Sequence, residues 1–239
     1  MLAKPEAILF DMGGVLLESA DTFTADAFPL SFPEGLPEPA PLDWFLDMSQ
    51  DCLSRFVAMT PPRPAMDCRP LIADWLRRRD VEPTADTVER WRYVMEQWEA
   101  RPIYAHVRPT LATLCDMGYR MGVISNTFCA GEYLRRHFEA AGILEFLEFA
   151  VFSAEFGMNK PHPSIFRHAL DAMGLQSRRA WYVGDKPQRD VCGAHGVGMT
   201  AVLVDSAHAD RAGDAPENEP DLRIADIAAL PKVLRGLEA

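Results

Sequence analysis

Short apolar runs recur along this chain of 239 residues, and segments with helical periodicity lie between them. Alternation of strands and helices is typical of a parallel β-sheet that helices cover on both faces. The runs expected to form strands are 7–10, 121–125, 149–152, 181–184 and 200–204, with a last short strand and a closing helix within 220–234. The sequence therefore predicts an α/β fold.

Residues 17–105 interrupt this alternation. The stretch 29–41 is rich in proline, so we expect neither a helix nor a central strand there. Three helical patterns follow, marked by Phe45, Met48, Cys52 and Phe56, by Ile72, Trp75 and Leu76, and by Val88, Trp91, Met95 and Trp98. We expect a helical cap domain over 17–105, inserted into an α/β core formed by 1–16 and 106–239. Its helix-spaced tryptophans are expected to form its core, with a ligand surface as the alternative.

Charge and composition limit the class of partner. The formal net charge is −11, from 24 Lys and Arg against 35 Asp and Glu, which disfavours nucleic acids and anionic membranes as partners. The five cysteines form no C-x-x-C pair, and no apolar run approaches the roughly 18 residues of a membrane span. The N-terminal residues also lack the apolar segment of a secretory signal. We expect a reduced cytoplasmic protein; its charge does not exclude a small anionic substrate, and its oligomeric state, monomer or homodimer, stays open.

Polar residues follow two of the predicted strands. Asp11 comes directly after 7–10 and precedes Gly13 and Gly14. A carboxylate there can serve as a nucleophile, as a metal ligand or as part of a turn. Ser125 ends another strand and Asn126 follows it, a pair that suits either phosphate oxygens or a helix N-cap. Because ligands bind at the carboxyl ends of parallel strands, these side chains are candidates for a site.

A lysine and two further acids lie in the second half of the chain. Lys160 stands beside Pro161 and Pro163 just before a helical pattern, where it is either a fixed positive charge or a solvated surface residue. Asp185 follows a strand, and Asp190 comes five residues later. Two carboxylates that converge from one loop favour a hard divalent cation, although either could cap a helix.

Four motifs together, FDMGGVL, ISN, NKP and GDKPQRD, resemble those of the haloacid dehalogenase-like (HAD) hydrolase superfamily. The resemblance covers the core on both sides of the inserted helices. It implies a Rossmann-like core with a cap domain. It also implies Mg²⁺-dependent hydrolysis of a small phosphorylated metabolite through an aspartyl-phosphate.

The resemblance also assigns residues to roles. Asp11 would be the nucleophile, and Ser125 and Asn126 would bind the phosphoryl oxygens. Lys160 would offset the negative charges of nucleophile and phosphate. Mg²⁺ would be held by Asp11, the backbone carbonyl of Gly13 and Asp185, with Asp190 acting through a bound water or in support.

One position departs from the pattern of the superfamily. Most phosphatases of the superfamily carry a second aspartate at the position where this chain has Gly13. That aspartate is their general acid and base. A positioned general acid contributes roughly 10²–10⁴-fold to rate. The sequence resembles a branch with glycine there. Its proton would come from the substrate, from water, or from Glu18 or His162.

Two other functions remain open at this point. A 2-haloacid dehalogenase has a similar nucleophile but needs no metal, and such enzymes usually carry a bulky aromatic residue where this chain has Gly13. A non-catalytic member would bind a phosphorylated ligand or a protein partner without turning it over.

Overall fold

The computed structural model describes residues 2–18, 41–58, 64–205 and 216–237. Its central feature is a six-stranded sheet in the order β3-β2-β1-β4-β5-β6, in which every neighbouring pair is parallel. The strands are β1 (Ala7–Phe10), β2 (Arg120–Ser125), β3 (Phe149–Phe152), β4 (Ala180–Gly184), β5 (Thr200–Val204) and β6 (Leu222–Ile224). The predicted parallel sheet is confirmed, and β2 and β4 begin one residue earlier than expected.

Helices cover both faces of this sheet. They are α4 (Val107–Asp116), α5 (Gly131–Ala140), the short α6 (Ser153–Phe156), α7 (Pro163–Ala172), the short α8 (Cys192–His195) and α9 (Leu230–Gly236). Successive strand side chains point to opposite faces. Ile8 and Phe10 therefore pack in the cluster that holds the side chains of α4, α5 and α9, whereas Ala7 and Leu9 pack against α7 and α8. Within the described ranges, no helix combines the length and apolarity needed to cross a membrane.

Between β1 and α4 the described residues form three further helices: α1 (Pro41–Ala58), α2 (Cys68–Arg77) and α3 (Ala85–Glu99). They enclose an apolar core of their own, in which Trp75 and Trp91 are each 1% exposed, with ring centroids 5.5 Å apart. The interpretation of these two tryptophans as core is confirmed. Proline at the first position of α1 costs no helical hydrogen bond. The rest of the proline-rich stretch lies outside the described residues.

The chain leaves and re-enters the α/β part at adjacent points. Leu17 forms an antiparallel bridge with Ile103, and the backbone N–H of Tyr104 donates to the carbonyl oxygen of Leu16 at 3.1 Å. Such a two-stranded connection is expected where a domain is inserted into another. We propose that residues 17–105 form the cap domain on this ground and on the separate core of α1–α3.

The sheet order determines where a site can form. β1 lies between β2 and β4. The chain continues from β2 to β3 on one side of β1 and from β4 to β5 on the other side. Ligands of open α/β sheets bind at such a reversal of strand order, outside the carboxyl ends of the strands. Asp11, Ser125 and Asp185 stand at the ends of β1, β2 and β4.

Candidate active site

Asp11 is held rigidly at the end of β1. Its backbone N–H donates to the carbonyl oxygen of Val183 at 2.8 Å, which continues the sheet by one residue. Its Oδ1 accepts from the N–H of Met12 at 2.7 Å and from Nζ of Lys160 at 2.8 Å. The residue is 4% exposed. The carboxylate is therefore oriented by both the backbone and a buried cation.

Lys160 is 2% exposed, so the alternative of a solvated surface lysine is wrong. Its Nζ contacts three acceptors: Oδ1 of Asp11 at 2.8 Å, Oδ1 of Asp190 at 2.8 Å and Oη of Tyr182 at 2.7 Å. An ammonium group carries three donors, so these contacts satisfy it completely. The Tyr182 hydroxyl donates in turn to the carbonyl oxygen of Ile124 at 2.8 Å.

Asp190 uses both of its oxygens inside the protein. Oδ1 accepts from Lys160, and Oδ2 accepts from the backbone N–H groups of Asp185 at 3.1 Å and Lys186 at 2.9 Å. Asp190 therefore shapes the loop that carries Asp185. The two roles expected for Asp190, action on the metal through a bound water or support, stay predictions, and these contacts favour support.

The acid cluster fits a hard divalent cation. Asp11, Asp185 and Asp190 each offer an oxygen within 4.8 Å of the others, and all three are buried. Burial and the negative charges of Asp11 and Asp190 raise the pKa of Asp185 to about 7. Burial also raises the pKa of Asp11, against the ammonium of Lys160. A cation bound to these oxygens would offset that cost, and carboxylate oxygens are the ligands that Mg²⁺ prefers.

Asp190 differs from its two neighbours in its titration. Burial would raise its pKa, but the ammonium of Lys160 and the guanidinium of Arg189 outweigh burial and lower it. Asp190 therefore stays ionised beside Lys160, which keeps the lysine bridged between two carboxylates.

The two glycines after Asp11 have different roles. Gly14 has φ +79°, and a Cβ placed on it would lie 2.4 Å from Oδ2 of Asp185. Gly14 is therefore required by the close approach of Asp185. Gly13 is not among the residues with positive φ, and a Cβ placed on it would find no atom within 4 Å beyond its chain neighbours. A side chain at position 13 is therefore tolerated within the described structure.

The side chain of Asn126 contacts the backbone of Lys160. Its Oδ1 accepts from the backbone N–H of Lys160 at 2.7 Å, and its Nδ2 donates to the carbonyl oxygen of Lys160 at 3.1 Å. This reciprocal pair holds the lysine loop against the end of β2. These contacts use Oδ1 and one of the two N–H groups of Nδ2, so the expectation that Asn126 binds phosphate stays a prediction. Ser125 is 2% exposed beside it.

The two sequence candidates for a replacement proton donor lie elsewhere in the contact network. Nδ1 of His162 accepts from the backbone N–H of Ser164 at 3.3 Å, so that nitrogen caps the start of α7. The backbone N–H of Glu18 pairs with the carbonyl oxygen of Pro102 at 3.0 Å, and Glu18 is exposed. Neither residue contributes to the Asp11–Lys160 cluster through these contacts.

Sequence reasoning missed three residues near the site. Tyr182 could have been noticed as a polar tip within a fully buried strand, because a buried hydroxyl needs a partner. Glu96 and Glu99 at the end of α3 gave no signal, since their contacts are to a loop about 30 residues further along the chain.

Comparison with known proteins places this site in a family. Residues 66–204 match the family described as haloacid dehalogenase-like hydrolase. The phosphoserine phosphatase of Thermus thermophilus is 33% identical over 154 residues, which is 63% of this chain and 60% of that protein. The glyceraldehyde 3-phosphate phosphatase of Methanothermobacter thermautotrophicus is 39% identical over 141 residues, or 55% of this chain and 61% of that protein. The matches thus span about three fifths of each relative's length.

A solved structure, the 2-haloacid dehalogenase from Pseudomonas syringae pv. Tomato DC3000, shares the fold over 99% of both chains, with a TM-score of 0.65 and 22% identity. This likeness concerns the fold alone. The family match covers more than half of this chain and includes the segments that carry Ser125, Lys160 and Asp185. The chain therefore belongs to the haloacid dehalogenase-like hydrolases.

Proposed function

We propose that this protein is a Mg²⁺-dependent phosphatase that hydrolyses a small phosphorylated metabolite, with Asp11 as its nucleophile. The observation that carries the proposal is the buried ammonium of Lys160, which bridges Asp11 and Asp190 beside a third carboxylate, Asp185. The ammonium in such a cluster reduces the repulsion between an anionic nucleophile and an anionic phosphate group. The phosphatase names of both relatives support the same reaction class.

In this proposal an oxygen of Asp11 forms a bond to phosphorus while the bond from phosphorus to the leaving oxygen breaks, and that oxygen takes a proton from water or from the substrate. Water then attacks the phosphorus of the aspartyl-phosphate, the bond to Asp11 breaks, and orthophosphate is released. Lys160 offsets the charge of Asp11 and of the phosphoryl group throughout. Ser125 and Asn126 contact the phosphoryl oxygens.

The metal site in this proposal consists of Asp11, the backbone carbonyl of Gly13 and Asp185, with Asp190 in support. Mg²⁺ bound there would neutralise charge on the phosphoryl group. Asp11 is thus both nucleophile and ligand, and its orientation by Met12 and Lys160 serves both roles.

We propose that the cap domain at 17–105 selects the substrate. The cysteines bear on where the enzyme acts. The five cysteines are free in the structure, in keeping with a reducing compartment, so we assign the enzyme to the cytoplasm.

The dehalogenase alternative is less well supported than the phosphatase. The third buried carboxylate, Asp185, completes a set of oxygens that fits a divalent cation, which the phosphatase needs and the dehalogenase does not. The non-catalytic alternative also fits poorly, because Asp11, Lys160 and Asp190 remain in hydrogen-bonding contact.

The first prediction tests the proposed reaction. Phosphorylated metabolites and an aryl phosphate are assayed for orthophosphate release with Mg²⁺ and with a chelator. We expect release that needs Mg²⁺ and that Asp11→Asn lowers by at least about 10³-fold, because the nucleophile is lost. The matched control is Asp171→Asn on the exposed side of α7, which should retain activity.

Two results would contradict this proposal. Release that Asp11→Asn leaves intact would exclude Asp11 as nucleophile. Metal-independent release of halide from a 2-haloacid, without phosphate release from any ester, would favour the dehalogenase.

The second prediction concerns pH and Mg²⁺. The raised pKa of Asp185 means that the folded protein without metal favours the protonated acid up to about pH 7. The stability contributed by that proton is complete below the usual carboxylate pKa and is lost as pH rises through about 7. Mg²⁺ needs the ionised form, so its affinity should rise from pH 5.5 to pH 8 by roughly 30-fold, as titration calorimetry would measure. Equal affinity at both pH values would contradict this assignment, and Asp185→Asn, which removes a proposed ligand, should weaken Mg²⁺ binding at pH 8.

The third prediction concerns the missing acid. Because position 13 has room for a side chain, Gly13→Asp should raise turnover of alkyl phosphates by about 10²-fold or more, the range of a positioned general acid. Aryl phosphates, whose leaving groups need no proton, should gain little. The measurement is the slope of log kcat/KM against leaving-group pKa, which should be steep in the wild type and shallow in the variant.

Gly13→Ala is the control for added bulk and should leave the slope unchanged. A Gly13→Asp variant that folds and binds Mg²⁺ yet keeps the steep slope would show that proton donation does not limit the reaction.

A further inference from the structure

The last turn of α3 meets the loop that follows Ser125. This loop, residues 126–130, connects the end of β2 to the start of α5. The aromatic side chain of Phe128 packs against the core of α1–α3, and Sγ of Cys129 donates to the carbonyl oxygen of Glu96 at 3.6 Å. The loop that carries the candidate phosphate contacts is therefore attached to the inserted helices.

Two carboxylates make the polar part of this attachment. Glu99 accepts from the backbone N–H of Phe128 at 3.0 Å (Oε1) and 3.1 Å (Oε2), and its Oε2 accepts from the N–H of Cys129 at 3.2 Å. The Thr127 hydroxyl also donates to Oε2 of Glu99. Oε1 of Glu96 accepts from the N–H of Ala130 at 3.1 Å. Four donors in succession are thus satisfied by α3.

These contacts serve the residues that lead into α5. Ala130 is the N-cap residue of α5 and has no side-chain oxygen, and the carboxylates accept from its own N–H and from the two N–H groups before it, with Oγ1 of Thr127 as a second acceptor for the N–H of Cys129 at 2.9 Å. A carboxylate near a helix N-terminus is also favoured by the helix dipole. Glu96 is 4% exposed, and burial raises the pKa of Glu99. Such buried carboxylates are retained only where their hydrogen bonds are well placed.

We propose that Glu99, assisted by Glu96, is a positioning residue for the phosphate-binding loop. The proposal rests on the proposed function and extends it to a residue outside the crevice. The fixed backbone of residues 127–130 sets the direction in which the chain leaves Ser125, and so sets where Ser125 and Asn126 present their donors. Because both carboxylates belong to α3, the inserted helices and the phosphate-binding loop keep one relative position.

Asn126 links this loop to the catalytic lysine. Its amide holds the backbone of Lys160, and residue 127 is bonded both to Glu99 and to Ser153, whose Oγ accepts from the N–H of Thr127 at 3.0 Å. A shift of residues 127–130 would therefore move phosphate donors before it moved the acids. Asp185 and Asp190 lie on a different loop, after β4.

Glu99→Gln in the full chain tests this proposal through two separate binding constants. The glutamine places an NH₂ group, which only donates, where a carboxylate oxygen of Glu99 accepts. Loss of one well-placed hydrogen bond corresponds to about tenfold in binding. We expect the Kd for orthophosphate in the presence of Mg²⁺ to rise about tenfold, and kcat/KM to fall equally. The Kd for Mg²⁺ alone should stay within about twofold, because the acid cluster is untouched. Titration calorimetry measures both.

The control is Glu132→Gln on the first turn of α5, where the side chain is 74% exposed. It should change neither constant. If Glu99→Gln loses its folded circular dichroism spectrum, Glu96→Gln, which leaves three of the four donors paired, decides on the same two constants with a smaller rise.

Three outcomes overturn the proposal. Unchanged orthophosphate binding in a folded variant removes the positioning role. A parallel loss of orthophosphate and Mg²⁺ binding reduces the two glutamates to general stabilisers of the fold. Wild-type protein that binds Mg²⁺ but no orthophosphate overturns the proposed function, and the role of Glu99 falls with it.

Discussion

The buried ammonium of Lys160 is the interaction on which this site depends. Three carboxylates with oxygens within 4.8 Å of one another are strongly unfavourable in a dry interior, and each unpaired buried charge costs several kcal/mol. Lys160 bridges two of them, Asn126 fixes its backbone and the Tyr182 hydroxyl accepts the third hydrogen bond of its ammonium. Removing the lysine would leave its partners uncompensated. Lys160 bridges Asp11 and Asp190 but not Asp185, and the pKa of Asp185 stays raised to about 7.

The order of the parallel strands brings these groups together. Because β1 lies between β2 and β4, residues that end these strands reach one edge at the reversal of strand order. Gly14 then permits the approach of Asp185, whose Oδ2 occupies the space that a Cβ would fill. The chemistry proposed here thus depends on the strand order, on Gly14 and on the ammonium of Lys160. In the proposed mechanism, the absent side chain at Gly13 is expected to make the enzyme sensitive to its leaving group rather than inactive.

Local pattern sufficed for the fold and for the residues at the strand ends. Strand 7–10 was predicted because it is uniformly apolar, and Asp11 because it directly follows that strand. The burial of Lys160 could only be suggested, since its three acceptors come from 22 to 149 residues away. The direction of the Asn126 amide and the contacts of Glu99 could not be predicted at all. They depend on where loops meet in space, which neither periodicity nor a motif encodes.

The central claim is that a phosphoryl group becomes bonded to Asp11 beside a metal held by the acid cluster. Beryllium trifluoride mimics that group and forms a complex with an aspartate only where the nucleophile, cation and metal site converge. A crystal structure of the protein with Mg²⁺ and beryllium fluoride tests this directly. We predict density that continues from a carboxylate oxygen of Asp11 to beryllium, with Mg²⁺ contacting Asp11 and Asp185 and fluorines near Ser125 and Lys160. An unmodified Asp11 with Mg²⁺ bound elsewhere would contradict the account.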